Sequence, residues 1–161
     1  MERRAASAGA ASATMRAVVV TQPGGPDALQ VTTVPMPEPQ PGWVRTKVKA
    51  FGVNESEVTT RKGESDPEVT YPRIPGIEAS VWSIRPTRTA GCARGQQVAT
   101  MMGGMGRSFD GSYAQYVTVP AGQVIPFETA LPWVAARCRR CSRPPTAPSP
   151  RASVSRRGRR C

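Results

Sequence analysis

Apolar residues fall in short runs cut by proline and glycine, and the periods readable along the chain are those of strands. Residues 16–21, Arg-Ala-Val-Val-Val-Thr, form a β-branched run that ends at the breaker cluster Pro23-Gly24-Gly25-Pro26. Leu29 to Val34 predict a second strand, closed by Pro35, Pro37, Pro39 and Pro41. Val44, Thr46, Val48 and Ala50 then alternate with Arg45, Lys47 and Lys49, the period of a strand with one buried and one wet face. The basic side reads as a solvated face. Further strands are predicted from about Ile77, from Val98 to Met101 and from Tyr113 to Val119.

One short helix interrupts this pattern. Asn54 suits an N-cap, Glu55 and Glu57 suit a first turn facing the positive end of the helix dipole, and Gly63 suits the stop. Several short strands with Gly/Pro punctuation predict a mainly β chain folded as a partly open β-barrel with short helices. No apolar run approaches the length of a membrane span, so no membrane partner is expected.

Net charge changes the picture only after it is divided along the chain. The total is +11, but residues 134–161 hold nine arginines and no acid. Residues 15–133 hold 11 basic and 10 acidic side chains, so the body lacks the basic excess of a nucleic-acid-binding fold. No nucleic-acid partner is expected, although an Arg-rich disordered tail is the one place where RNA could bind. The tail over 134–161 has no usable periodicity and is expected to be disordered.

Residues 1–14 contain no apolar h-region, and their Ala/Ser/Arg content has only a faint likeness to a transit peptide. They are expected to be a disordered extension ahead of Met15, and the protein is expected in the cytoplasm. Histidine is absent, which removes imidazole catalysis and His-containing zinc sites. The cysteines are Cys92, Cys138, Cys141 and Cys161. Cys138 and Cys141 make a CxxC, but two arginines separate them and no second well-spaced pair follows, which argues against a metal site.

Four stretches bring a family into view. They are MRAVVVTQPGGPDALQV at 15–31, VRTKVKAFGVNESEVTTRKG at 44–63, YPRIPGIEAS at 71–80 and FDGSYAQYVTVPAGQVIPFE at 109–128. In order and spacing they resemble the amino-terminal, GroES-like domain of the medium-chain dehydrogenase/reductase family, nearest its quinone oxidoreductase branch. The resemblance spans about 15–133. It implies a GroES-like barrel with the Rossmann domain missing, and a parental reaction that transfers hydride from NADPH to a quinone, enone or aldehyde. Relatives in this family are often homodimers acting on small-molecule carbonyl or quinone substrates.

The family's zinc branch carries a Cys where this chain has Asn54 and a His where it has Ile77, so the resemblance implies a zinc-free site. It also places Asn54 beside the nicotinamide and substrate slot, making it the candidate catalytic and cofactor-binding residue; a helix cap and a slot residue can coincide. Thr59 stands where the branch commonly has tyrosine. Thr59 and Met102 are the candidate substrate-cleft residues, with Met101 and Met105 beside them in a Gly-rich stretch where packing is an equal alternative. Arg61 and Glu78 match family positions and read as structural. The Gly103-Gly104-Met105-Gly106 stretch is not a dinucleotide fingerprint, since no helix pattern follows it.

Segments 81–92 and 134–161 break the resemblance and contain every cysteine. Both have the residues that GC-rich DNA yields in a wrong frame, and a one-base shift permits family-like strings in their place. The expectation is therefore a frameshifted copy of a longer enzyme, distorted near 81–92, holding half of an active-site cleft and inactive alone. That reading requires a dinucleotide-binding βαβ unit in a second frame beyond the present stop. The alternative is a non-catalytic barrel serving as an interaction module.

Overall fold

A computed structural model describes residues 13–83 and 95–133 of the chain. Of the expected extension at 1–14, residues 1–12 lie outside the described residues, whereas Thr14 already pairs in the first strand; the segment 84–94, the tail 134–161 and all four cysteines also lie outside them. The described part is mainly β, and its strands lie close to where the periodicity places them, except that the one expected from Tyr113 starts at Tyr116 and one more follows it. They are β1 (Thr14–Val20), β2 (Leu29–Pro35), β3 (Trp43–Phe51), β4 (Glu78–Ser83), β5 (Gln97–Met101), β6 (Tyr116–Pro120) and the two-residue β7 (Ile125–Pro126). The helix α1 spans Glu55–Lys62 and stops at Gly63, which takes a left-handed φ of 79°. Short 3-10 turns at Pro26–Ala28 and Ala121–Gln123, and β7, were not legible in the sequence pattern.

β1 and β2 make an antiparallel ribbon, and the other strands form a second sheet in the order β6-β3-β4-β5-β7. Every strand pairing in both sheets is antiparallel, and no βαβ unit occurs among the described residues. The sheets do not close into a complete barrel. Single bridges at Ala17↔Ala114, just before β6, and at Val20↔Arg73, in the loop that leads to β4, tie the ribbon to the rest of the fold.

Alternation along β3 holds as far as Val44 and Thr46, which are buried, while Lys47 and Lys49 are exposed. A register shift between Val48 and Ala50 then turns the strand toward α1. The main core joins Val44, Val81, Val98, Val117 and Val119 with Met105, and a second cluster sits under the ribbon around Met15, Val19 and Ile74. Burial of each such valine contributes about 1.5–3 kcal/mol. The expected distortion does not begin at residue 81. Val81 is fully buried opposite Val98, and Trp82 meets Trp133 edge to face at 4.9 Å, because successive residues of a strand face opposite sides.

Candidate active-site corner

The corner between β3 and α1 faces the start of β4. After Phe51 the chain passes through Gly52 and the exposed Val53 to Asn54, which caps α1. Glu57 reaches back so that its Oε2 accepts the Asn54 backbone N–H at 2.7 Å, the reciprocal half of a capping box. Its Oε1 accepts the backbone N–H of Ile77 at 2.9 Å. One carboxylate, only 4% exposed, thus joins the helix start to the turn that leads into β4.

Asn54 is half-buried, and its side-chain Nδ2 lies 3.4 Å from both Glu57 Oε1 and Glu78 Oε1. Acceptors on both sides decide which way the carboxamide faces, since only its nitrogen can donate. Both contacts are long, so the clamp is loose. In this arrangement Asn54 offers no free donor. Glu78 reaches this position because Gly52 has no side chain, and a Cβ there would collide with the Glu78 carboxylate.

The other candidates are placed less closely. Thr59 sits on α1 and donates its hydroxyl back to the Glu55 carbonyl at 3.0 Å, a bond within the helix. Met102 is 39% exposed, and its N–H donates to the Ile77 carbonyl at 2.6 Å, which brings its loop to the same turn. Met105 is fully buried in the main core and does not overhang a cleft; packing claims it. Arg61 is structural, because it is buried and its guanidinium donates to the Gly24 carbonyl while its own carbonyl accepts from Gly24 N–H. Ile77 points into the protein and is 3% exposed. Sequence reading missed the centrality of Glu57. The signal was present as Asn54-x-x-Glu57, the spacing of a capping box.

Tyr113 lies beside this corner, its ring 4.5 Å from that of Phe51. Burial first, and then the negative charge of Glu57, push its phenol up to about 12. Tyrosinate absorbance of the folded protein should therefore show an ionisation near pH 12 that Tyr113→Phe removes, against about 10 in the unfolded chain. The folded state holds this proton more tightly. Its contribution to stability is full below the unfolded pKa and is lost as the pH rises toward the folded one. Urea midpoints of wild type and Tyr113→Phe that fall in parallel above pH 10 would sink this assignment.

The donor set at the corner does not suit zinc. Residue 54 supplies an amide whose nitrogen faces carboxylates, residue 77 supplies an aliphatic side chain, and Glu57 is saturated by N–H donors. Phosphate binding is no better served. The N-terminus of α1 is already covered by Glu57, and the stretch Gly103–Gly106 leads into a turn, not a helix.

A sequence profile of the alcohol dehydrogenase GroES-like domain matches residues 40–129. The synaptic vesicle membrane protein VAT-1 homolog-like of Mus musculus is 41% identical over 66 residues, which are 41% of this chain and 16% of that protein. Among solved structures, AibC superposes with a TM-score of 0.71 at 30% identity, over 79% of this chain and 42% of its own. The quinone oxidoreductase from Coxiella burnetii gives a TM-score of 0.68 over 78% of this chain and 40% of its own; at 22% identity it shows the fold alone. The chain thus spans about two fifths of the solved structures it resembles. The profile covers more than half of the sequence, and AibC superposes over 79% of it: the chain belongs to the alcohol dehydrogenase GroES-like domain family.

Proposed function

We propose that this chain is the barrel half of an NADPH-dependent oxidoreductase that works without zinc and reduces a quinone, enone or aldehyde. The observation that carries the reading is the corner itself. A helix cap, Asn54, stands at the family's ligand position, held by Glu57 and Glu78 where a metal would need sulfur or imidazole. When bound, the nicotinamide supplies the hydride. This chain's residues would shape one wall of the slot, with Asn54, Thr59 and Met102 as its polar and soft contacts. Because the described residues contain no phosphate cradle, the barrel is expected to hold the cofactor only together with a second domain.

Two measurements test this. Calorimetry of the 161-residue chain with NADPH should detect no saturable binding, and metal analysis should find no stoichiometric zinc. Fusing residues 13–133 to the part of the Coxiella quinone oxidoreductase that this chain does not overlap should restore NADPH oxidation with a quinone. In that fusion Asn54→Ala should lower kcat/KM about 10–100-fold, the range for a lost positioning contact. A low-micromolar Kd for the barrel alone would refute the domain argument. Activity indifferent to Asn54→Ala would refute its role, and a folded, NADPH-binding but inactive fusion favours the interaction module.

A further inference from the structure

A cavity of about 430 Å³ opens between the β1–β2 ribbon and the β3–β6 part of the larger sheet. It shares no residue with the Asn54 corner. The volume is within the usual range of small-molecule pockets, about 300–1,000 Å³. The ribbon touches the sheet at Ala17↔Ala114, while the inner ends of β1 and β2, with Met15 and Val34, roof the gap.

Two groups of ties keep the space open. Pro35 and Pro37 form one wall, and that segment is anchored where Arg45 Nη1 donates to the Pro37 carbonyl at 3.2 Å and to Glu38 at 3.0 Å. The opposite wall is the 108–110 turn, in which the Gly104 carbonyl accepts from Ser108 N–H at 2.8 Å and Asp110 accepts from Ile74 N–H at 3.1 Å. Trp43 and Phe109 meet edge to face at 4.8 Å and 79°, making a right-angled aromatic corner at one end. Tyr116, which also lines the space, is about 13 Å along β6 at the usual strand rise from Pro120, the residue paired with Trp43. Apolar side chains such as Met15, Val34 and Ile74 and polar ones such as Gln40, Ser108 and Thr118 share its walls.

Its charges decide what kind of ligand suits it. The charged side chains lining it are Arg73 and Asp110, joined at 3.2 Å, so the slot presents no net charge. Gln40, Ser108, Tyr116 and Thr118 are the uncharged polar residues that line it. An ionised ligand would lose hydration without gaining a free counter-charge, whereas a flat neutral ring would gain edge and face contacts. We propose that this slot binds a small neutral aromatic molecule bearing a hydrogen-bonding oxygen, at a site independent of the nicotinamide slot.

The test uses the full chain and 2-naphthol as the probe, with 2-naphthoate and 2-naphthyl-trimethylammonium as its charged counterparts. Saturable 2-naphthol binding, with NMR shifts confined to Trp43, Val34, Ile74 and their neighbours, is the expected result. Each charged counterpart should bind at least about 10-fold more weakly, the desolvation cost being uncompensated. Val34→Trp, which fills the slot from the ribbon, should abolish binding while leaving the urea midpoint in place. Should that variant fail to fold, Thr118→Phe fills the slot from the sheet and must have the same effect. Tighter binding of either charged probe, shifts scattered over the surface, or undiminished binding in a folded slot-filling variant overturns the proposal.

Discussion

Gly111→Ala is expected to be the most damaging single change in the described part of the chain, with a loss of about 4 kcal/mol or more. A Cβ at this position would lie 2.5 Å from the Pro75 carbonyl oxygen and even closer to the Gly76 carbonyl oxygen. The obstacle is backbone, and it cannot step aside. Gly111 N–H donates to the Ile74 carbonyl at 2.7 Å and Tyr113 N–H to the Pro75 carbonyl at 3.0 Å, so the two chains are laced together at the point of collision. Ser112 between them is fully buried, with its hydroxyl on the Glu78 carbonyl at 2.7 Å. Relief of the overlap would separate the turn that positions Ile77 and Glu78 from the loop that supports it. Gly25→Ala is the matched control, since a Cβ there meets nothing within 4 Å and should change stability by about 0.5 kcal/mol at most. Equal urea midpoints for the two variants would show that the close approach does not limit the fold.

Glu57→Ala should cost about 2–4 kcal/mol, because it leaves buried N–H groups without an acceptor. Its carboxylate accepts from Asn54 N–H, Ile77 N–H and the Asn54 amide, and of these donors the amide also has Glu78 as an acceptor. Glu57→Gln retains one side-chain acceptor oxygen and should lose roughly half as much. Hydrogen exchange at the Ile77 amide is the specific readout: it should quicken strongly in the alanine variant and modestly in the glutamine variant. A midpoint unmoved by Glu57→Ala would show that the carboxylate does not hold the corner, and a lowered midpoint with unchanged exchange at Ile77 would mean that the capping box alone accounts for Glu57. The two predictions bear on the same feature from opposite sides. Gly111 fixes the back of the 74–78 turn, and Glu57 fixes its front to α1.

Much of this architecture is local, and local chemistry is what a sequence displays. The β-branched run of β1, the alternation at Val44 and Thr46, the Asn54 cap and the Gly63 stop depend on periods and on single-residue backbone preferences, so their elements fall where the pattern puts them. The family resemblance likewise rests on motif order, and the domain profile agrees with it over 40–129. The identities of Asn54 and Ile77 already excluded the usual sulfur and imidazole donors from those two positions.

Tertiary structure decided what lies between distant segments. Glu57 looked like a first-turn acid, and only the arrival of the Ile77 N–H from 20 residues away makes it the joint of the corner. Met102 and Met105 have similar surroundings in the sequence, yet one is exposed and the other fully buried, because the sharp turn at 102–106 points them to opposite sides. Val81 and Trp82 belong to a stretch that reads as foreign, but a strand accepts any residues that alternate correctly against its neighbours, and Val98 supplies the match. The slot under the ribbon has no sequence signature, since it is the space left where β1 and β6 part after a single bridge. Periodicity records which face of an element is buried; it does not record which element buries it, and both the corner and the slot are made by that second choice.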